Sequence, residues 1–360
     1  PGLRSRSGSL WNRLGAAIGF GFLAPRRFPT ERPVPYSVIP LTVIAIDMII
    51  ATLPLAALLV VMIVQAFEPG VSVDPLLAKN VLWWFGHPVV YLLLFPAVAI
   101  YYLLVPRYAQ RRLVAGNIIA VGWTIAVIAN VLVWAHHMYM DYPNGIQAAI
   151  NTAMEPMTFS LTLVSALSLY SLLFTMFRSR WVWNAATTAL FLGIVSWLLS
   201  GLSGVVNATI SFNAFVHNTL WVVGHFHHMA LLNIGLVIFA AVYAFLPRLT
   251  GRALYSDRLG SWHIWLTFWA GTANSVIWLI QGLDGAPRRF AVLPRGYDGL
   301  TAASVPVIAV LALAQLLFVW NIVQTARGRT TAAARREALA GVPRPRPTSA
   351  ALQGGVAVLT

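Results

Sequence analysis

Long apolar runs constrain the fold of this chain more than any other feature of its sequence. A helix needs about 20 predominantly apolar residues to cross the hydrocarbon core of a bilayer. Eight runs of that order occur, at about residues 40–66, 80–104, 115–137, 156–177, 182–206, 214–246, 260–282 and 302–325. Runs of this length are typical of membrane helices rather than of strands. The sequence therefore predicts an all-α, polytopic transmembrane helix bundle of about eight spans.

The composition agrees with a membrane chain and excludes several kinds of site. Of the 360 residues, 59% are apolar and only 9% are charged, whereas about a quarter are charged in a soluble domain. The chain has no cysteine, which excludes disulfides, zinc–thiolate sites and iron–sulfur clusters. A net charge of +14 could indicate nucleic-acid binding, but arginines in short loops between apolar spans are typical of membrane topology. We expect a lipid bilayer and no nucleic acid as a partner.

The positive charges predict the orientation of the spans. Arginines alternate from loop to loop, in residues 26–32, 107–112, 178–180, 248–258 and from 327 onward. The positive-inside rule makes these segments cytoplasmic. One outer loop, GLDGAPRRFAVLPRG, breaks the alternation with Arg288 and Arg289. An isolated pair of this kind can snorkel to lipid headgroups; the alternative is a bound anion that holds the two arginines there.

The sequence divides into three parts. Residues 1–38 contain Gly and Pro breaks and predict a cytoplasmic or interfacial segment, and residues 39–326 contain the transmembrane core. Residues 327–360 are rich in Ala, Arg, Pro and Gly and predict a disordered cytoplasmic tail. The first residue is Pro, and no segment has the pattern of a cleavable signal. We therefore expect a piece of a longer protein that lacks its beginning.

Seven of the eight histidines fall in the outer half of the predicted spans. They are His87, His136, His137, His217, His225, His227 and His228. A single intramembrane histidine is usually a hydrogen-bonding residue between helices. Seven at a similar depth indicate a function, because ionisable groups are costly in a bilayer and neutral imidazole is the commonest metal ligand.

The spacing of five of these histidines predicts how they are grouped. His87 and Tyr91 stand four apart in WWFGHPVVYLLL and so share a helix face. The adjacent His136 and His137 lie at the outer end of their span, where a loosened helix can aim both rings the same way. Three imidazoles with an open position suit copper, although an adjacent pair at a membrane boundary can equally be two surface residues.

A second group of histidines lies in VHNTLWVVGHFHHM. His225 and His227 are two residues apart, which is about 200° around a helix, so they point in opposite directions. One helix can thus ligate two cofactors on its two faces, and a pair of haems with the helix between them fits that geometry. His228 faces neither and is interpreted as a packing residue or a polar residue facing lipid.

These motifs carry a family resemblance. GHPVVY, the HH pair and HFH, in that order, resemble subunit I of the haem-copper oxidases over residues 40 to 325, and GAPRR extends the match. The resemblance implies that His87, His136 and His137 bind the active-site copper and that Tyr91 is cross-linked to the first of them. It implies that His225 is the axial ligand of a high-spin haem and His227 one of two ligands of a low-spin haem. Arg288, Arg289 and His217 are implied at the haem propionates.

The function implied by the resemblance is that of a terminal respiratory oxidase. Such an enzyme reduces dioxygen to water at a haem iron and copper centre and couples this to proton translocation. The implied setting is multi-pass, in the plasma (inner) membrane of a prokaryote. The implied partners are oxidase subunit II, other small subunits, and cytochrome c or a similar electron donor that acts through subunit II.

Two departures from the family pattern matter. The second ligand of the low-spin haem lies on an early helix of the family, and roughly the first four family helices precede everything in this sequence. In addition, Val89 stands where A-type oxidases carry a glutamate between Pro and Tyr. The proton channel that ends at that glutamate is not expected, and the pattern is closer to that of B-type oxidases.

Hydroxyl groups suggest a different proton path. Thr158, Thr162, Ser165 and Ser168 recur at helical spacing, and Tyr102 lies inward of Tyr91. These groups either line a water-filled channel toward Tyr91 or make ordinary hydrogen bonds between helices, and the sequence leaves both open.

Three rival functions remain at the level of sequence. A nitric oxide reductase relative shares the histidine framework but lacks a tyrosine at the position of Tyr91, so HPVVY argues against it. A truncated, non-catalytic remnant would keep the motifs by descent. A transporter that uses histidines as proton relays would bind no haem.

Overall fold

The structure is a computed structural model, described here for residues 35–141 and 144–329. Its α-helices are α1 Val38–Phe67, α2 Pro75–Ala109, α3 Gly116–Leu132, α4 Gly145–Met176, α5 Ala185–Ala208, α6 Ile210–Val216, α7 Leu220–His227, α8 Gly235–Thr250, α9 Asp257–Leu283 and α10 Asp298–Ala326. A 3₁₀ segment, Val133–Met138, continues α3, and a π-helical segment, His228–Ile234, joins α7 to α8. Over the described ranges the only β contact is an isolated bridge between Thr219 and Pro287. The predicted all-α class is confirmed.

Seven helical runs in the described part of the chain are long and apolar enough to cross a membrane. They are Val38–Phe67, Pro75–Ala109, Gly116–Met138, Gly145–Met176, Ala185–Ala208, Leu220–Thr250 and Asp298–Ala326. The remaining predicted span, 260–282, forms α9, whose 27 residues are long enough to cross. Its interior carries buried His263, Asn274 and Gln281, and α9 is not among the runs that are sufficiently apolar. The polytopic bundle is confirmed. By helix length and apolarity together, the described part of the chain has seven spans, one fewer than the eight predicted.

Contacts between loops place the arginine-rich segments at one end of the bundle. The Arg111 guanidinium, after α2, donates to the Phe177 carbonyl at the end of α4, at 2.9 Å. Arg252, after α8, donates to the last turn of α10. At the opposite end, Lys79 forms a 2.5 Å salt bridge with Asp141. The charge alternation therefore corresponds to two ends of one bundle, and the cytoplasmic assignment of the arginine end stays a prediction.

The helices differ in how far they are enclosed. α2, α3, α5 and α8 contribute most of the buried apolar residues, including Tyr101, Trp197 and Leu236. The most apolar stretches of α1 and α10 are each only 11% buried inside the chain. The site described below lies among the enclosed helices and not on the open faces of α1 and α10.

Most of the predicted terminal segments fall outside the described residues. Of the predicted segment 1–38 the structure describes only residues 35–38, and of the predicted tail 327–360 only residues 327–329. The prediction of a disordered tail and of an interfacial N-terminal segment stays untested.

Candidate metal centre

Three imidazoles converge between α2 and the 3₁₀ segment. His87 Nδ1 lies 3.0 Å from His136 Nε2 and 3.2 Å from His137 Nε2. One ring nitrogen from each residue lies within 4.8 Å of the others, and no other such group of metal-ligating side chains occurs among the described residues. His87 is buried, with 5% of its surface exposed. The three histidines that the family resemblance implies at one site do lie together, and neither His136 nor His137 is exposed, which argues against the surface-pair alternative.

The two adjacent histidines lie in a 3₁₀ segment at the end of α3, and their rings are 4.4 Å apart at centroid. After Leu132 the chain tightens into this segment, Val133–Met138. The Trp83 ring of α2 stacks on His137, with centroids 3.9 Å apart and planes at 5°. Pro88 follows His87 inside α2 and removes one backbone donor beside it. The helix end is therefore tightened into a 3₁₀ turn and is not loosened as predicted.

A chain of buried amides holds the 3₁₀ segment in place. Trp134 Nε1 donates to Asn80 Oδ1, Asn80 Nδ2 to Gln147 Oε1, Gln147 Nε2 to Asn151 Oδ1, and Asn151 Nδ2 to the Met138 carbonyl, each at 2.9 Å. The chain begins and ends on the histidine-bearing segment and crosses α2 and α4 between. Buried amides are costly unless paired, so this pairing fixes the segment. Sequence reasoning missed the amides, although their spacing of four in α4 was a signal.

Tyr91 lies next to the first histidine, as their spacing predicts. The two rings are 4.8 Å apart at centroid, with planes at 62°. His87 turns Nδ1 toward the other two histidines, and its buried Nε2 has no hydrogen-bond partner within residues 35–141 and 144–329. The rings of Tyr91 and Phe95 are also in contact, at 5.0 Å, one turn further along α2. The phenol therefore belongs to the same site as the three imidazoles.

His225 and His227 on α7 face different neighbours. His225 Nδ1 is 3.0 Å from both the Ser200 carbonyl oxygen and Ser203 Oγ of α5. His227 packs against Trp278 of α9, with rings 5.0 Å apart, and its Nδ1 is 2.9 Å from the carbonyl of its own helix at residue 223. Each ring thus uses Nδ1 locally and keeps Nε2 available. Metal-ligating histidines commonly have their second nitrogen held in this way.

Glycines let α7 approach α9 closely enough to fix the HFH motif. A Cβ on Gly282 would lie 1.9 Å from the Trp221 backbone nitrogen, and one on Gly224 would lie 2.8 Å from the Ser275 carbonyl oxygen. Small residues at such crossings allow helix backbones to come together in membrane proteins. The position of His225 and His227 therefore depends on glycine at both Gly224 and Gly282.

The arginines that broke the charge pattern lie at the outer rim. The Arg288 backbone donates to the Asn218 carbonyl at 3.0 Å, and its guanidinium contacts the Asn218 side chain at 3.4 Å. Its Nε is buried and has no hydrogen-bond partner in the described part of the chain, which suits an added anionic acceptor. Arg289 is exposed and has a left-handed backbone, with φ 70°.

His217 lies on the same rim and is held by Asn213, whose Oδ1 is 2.6 Å from its Nδ1. Burial, and then the positive charge of Arg288, lower the pKa of His217 to about 4. His217 is therefore neutral near pH 7 and adds no positive charge to the arginines.

The hydroxyls of α4 have separate partners. Tyr102 donates to Ser168 at 2.7 Å, Ser165 accepts from Trp197 at 2.7 Å, and Thr158 Oγ1 is 3.4 Å from His136 Nδ1. Thr162 is exposed. Of the four hydroxyl residues of α4, Thr158, Ser165 and Ser168 therefore make contacts with other helical segments. The Tyr102–Ser168 pair is the one that lies inward of Tyr91.

Two further histidines have structural surroundings. His228 is buried, at 4% exposure, which favours the packing interpretation over the lipid-facing one. His263 lies between Tyr243, at 2.9 Å, and Gln315, at 3.2 Å. Its two ring nitrogens are both used in contacts between helices.

The fold and the site together define a class: a polytopic helical membrane protein with a cluster of three histidines that could hold a metal ion, beside a helix that carries two more histidines. The chain matches the family model described as Cytochrome C and Quinol oxidase polypeptide I over residues 11–325. It belongs to that family, the subunit I family of the haem-copper oxidases, as the sequence motifs indicated.

Individual relatives agree with this assignment. Subunit 1 of the cytochrome c oxidase of Thermus thermophilus is 31% identical over 298 residues, covering 76% of this chain and 52% of the relative. A probable cytochrome c oxidase subunit 1-beta of Nocardia farcinica is 32% identical, covering 68% of this chain and 41% of the relative. Cytochrome c oxidase polypeptide 1 of Halobacterium salinarum is 30% identical, covering 61% and 36%. The chain thus spans about half or less of the length of these relatives.

A solved structure has the same fold. The cryo-EM structure of a haem-copper terminal oxidase dimer superposes with a TM-score of 0.72 at 22% identity, covering 91% of this chain and 61% of that one.

Proposed function

We propose that this chain forms the catalytic core of subunit I of a terminal respiratory oxidase, which reduces dioxygen to water and couples the reaction to proton translocation. The convergence of His87, His136 and His137 carries the proposal. Three imidazoles that leave a coordination position open suit copper better than the oxygen-ligated metals, and the chain has no competing thiolate.

The copper ligands would be Nδ1 of His87 and Nε2 of His136 and His137, since these are the nitrogens that face one another. The unpartnered His87 Nε2 lies on the other edge of its ring, and the Tyr91 ring is its neighbour. This arrangement supports the cross-link between Tyr91 and His87 that the family resemblance implies.

The haem ligands would be His225 for the high-spin haem and His227 for the low-spin haem. Their Nδ1 atoms are held by protein oxygens, which fixes the ring tautomer and direction. Arg288, Arg289 and His217 would bind the propionates, and the unpartnered Arg288 Nε is a donor suited to a carboxylate. A complete low-spin site needs a second axial ligand from residues that precede the described helices in the family.

The bound metals supply the redox chemistry of dioxygen reduction. The chain's own part is to hold the metals, to keep the site dry and to deliver protons. Tyr91 can give one proton and one electron from beside the copper ligands. Tyr102 and Ser168 would carry protons toward it from the arginine-rich end, which we assign to the cytoplasm. Val89 leaves the A-type channel without its terminal glutamate, which favours the B-type route.

The partners follow from the same proposal. Subunit II would receive electrons from cytochrome c or a similar donor and pass them to this chain, in the plasma membrane of a prokaryote. Other small subunits would cover part of the open faces of the bundle.

The test uses the complete gene product, co-expressed with its subunit II and purified from membranes. We expect haem and copper in the metal analysis, and high-spin haem bands that respond to carbon monoxide in the reduced spectrum. A His225→Ala variant should lose the carbon monoxide response, whereas a His228→Leu control should keep it. An unchanged spectrum in His225→Ala would refute the axial assignment. A complex without haem would favour a non-catalytic remnant or a transporter, and nitric oxide turnover without dioxygen turnover would favour a reductase.

A further inference from the structure

The Ser203 hydroxyl group reaches the proposed haem ligand His225 from a neighbouring helix. Ser203 lies in α5 and is buried, with 8% of its surface exposed. Its Oγ lies 3.0 Å from His225 Nδ1. The same nitrogen lies 3.0 Å from the carbonyl oxygen of Ser200, which stands one turn earlier on α5. One ring nitrogen of His225 therefore faces two oxygens of a single helix.

The contacts determine which of these atoms donates. A carbonyl oxygen only accepts, so the contact with Ser200 requires a proton on His225 Nδ1. The Ser203 hydroxyl donates its own proton to the same Ser200 carbonyl, at 2.9 Å. Toward the imidazole, the Ser203 oxygen can therefore only accept. The Nδ1–H group of His225 is thus shared between two acceptors, and Nε2 keeps the lone pair that a metal needs.

A glycine lets the imidazole come this close to α5. A Cβ on Gly204 would lie 3.1 Å from His225 Cε1, which is closer than ordinary van der Waals contact. Ser200 and Ser203 stand three apart and so lie on one face of the helix. Residues 200, 203 and 204 therefore form a cradle for one edge of the ring, made of protein atoms alone.

The other proposed haem ligand on the same helix has fewer acceptors. Among the described residues, His227 Nδ1 meets one oxygen, the Val223 carbonyl, at 2.9 Å. Val223 stands four residues earlier in α7, where an α-helix already uses the carbonyl for its own backbone bond. The protein therefore polarises the ring of His225 more strongly than that of His227, although only one residue lies between them.

We propose that Ser203 is a positioning residue that strengthens the bond of His225 to the high-spin haem iron and lowers the reduction potential of that haem, an inference that rests on the proposed function. An imidazole whose Nδ1–H is accepted by two oxygens is a stronger donor at Nε2, because the partly withdrawn proton leaves negative charge on the ring. A stronger axial donor favours ferric iron, which carries one more positive charge than ferrous iron. The Ser203 hydroxyl thereby distinguishes two haems that share one type of ligand on one helix.

The first test measures the iron–histidine stretching vibration of the reduced high-spin haem by resonance Raman spectroscopy of the complete oxidase complex. Ser203→Ala removes the hydroxyl acceptor and leaves the Ser200 carbonyl in place. We expect the vibration to shift to lower wavenumber, because the bond is weakened. Ser203→Thr keeps a hydroxyl at this position and should retain the wild-type wavenumber. An unshifted vibration in Ser203→Ala, or the same shift in both variants, would overturn the inference.

Ser196→Ala is the matched control. Ser196 lies on the same helix and is fully buried, and its Oγ has no hydrogen-bond partner among the described residues. Both alanine variants remove one buried hydroxyl from α5 and introduce the residue of highest helix propensity. We expect the control to keep the wild-type vibration. A shift of the same size in Ser196→Ala would assign the effect to the packing of α5 and not to the hydrogen bond.

The second test measures the reduction potentials of both haems by spectroelectrochemical titration. Ser203→Ala should make the potential of the high-spin haem more positive and leave that of the low-spin haem unchanged. The low-spin haem thus serves as a reference within each molecule. Equal shifts at both haems would show a general disturbance of the complex and would contradict the role given to Ser203.

The outcomes separate this inference from the proposed function. Ser203→Cys carries a weaker acceptor and should give an intermediate shift, which supplies the comparison even if the alanine variant fails to assemble. A haem-loaded wild type whose vibration and potentials are the same in the cysteine or alanine variant removes the inference and leaves the oxidase assignment in place. A wild-type complex that assembles without haem removes the proposed function itself.

Discussion

Replacing Asn151 by leucine should loosen the segment that carries His136 and His137. Asn151 is the last member of the buried amide chain, where it accepts from Gln147 and donates to the Met138 carbonyl, both at 2.9 Å. Leucine has a similar volume and suits a membrane span, but it can make neither contact. The substitution therefore leaves the Gln147 amide nitrogen without its acceptor, whereas the Met138 carbonyl keeps the Asp141 backbone N–H at 2.9 Å as a donor.

The cost can be estimated from the one donor that loses its partner. An unpaired buried donor destabilises a fold by about 1–3 kcal/mol, so we expect the free energy of unfolding to fall by about 1–3 kcal/mol. The greater apolarity of leucine offsets little of this loss, because the site is enclosed: Asn151 is only 4% exposed. Copper binding should weaken as well, since the Met138 carbonyl follows directly on the two ligands.

The assay is denaturant titration of the complex in detergent, together with copper analysis. Thr152→Ala is the matched control, because Thr152 is the next residue on α4, is exposed, and bonds only to a carbonyl of its own helix. We expect the control to unfold like the wild type. A loss below about 0.5 kcal/mol in Asn151→Leu, with full copper content, would show that the amide chain does not position the histidines.

Two further predictions concern the HFH helix and the outer rim. Gly282→Ala places a Cβ 1.9 Å from the Trp221 backbone nitrogen. We therefore expect the free energy of unfolding to fall by about 1–3 kcal/mol in denaturant titrations and the haem content to be lower. Gly299→Ala is the control, because a Cβ at that position would have no atom within 4 Å, and it should behave as wild type. The pKa of His217 is about 4 in the folded protein, below its unfolded value near 6.5. Between pH 4 and pH 6.5 the unfolded chain therefore binds more protons than the folded chain. The free energy of unfolding should fall as the pH drops from 6.5 toward 4. His217→Gln should flatten that dependence in pH-dependent melting curves, and an unchanged slope would contradict it.

The features predicted correctly from the sequence are those with local signals. Apolar runs predict the helices because a bilayer leaves few alternatives for the backbone. The four-residue step from His87 to Tyr91 and the two-residue step from His225 to His227 fix relative directions on one helix, whatever that helix packs against. The convergence of α2 and the 3₁₀ end of α3 on one cluster of histidines came from the family resemblance, since no spacing along the chain brings His87 to His136.

The features that escaped prediction depend on partners far apart in sequence. Asn80 meets Gln147, and Asp47 meets Asn130, across helices whose relative rotation is set by packing. The hydroxyls of α4 show the same limit, because helical spacing places them on a face without specifying which neighbour each one meets.

The π-helical segment at residues 228–234 ties the two halves of one span together. A π turn accommodates one additional residue relative to an α-helix. If the same residues formed a regular α-helix, the additional residue would add about 100° of rotation and would turn the HFH half away from the half in which Tyr243 meets His263. The wide turn therefore lets both halves of the span keep their contacts without a break in the helix.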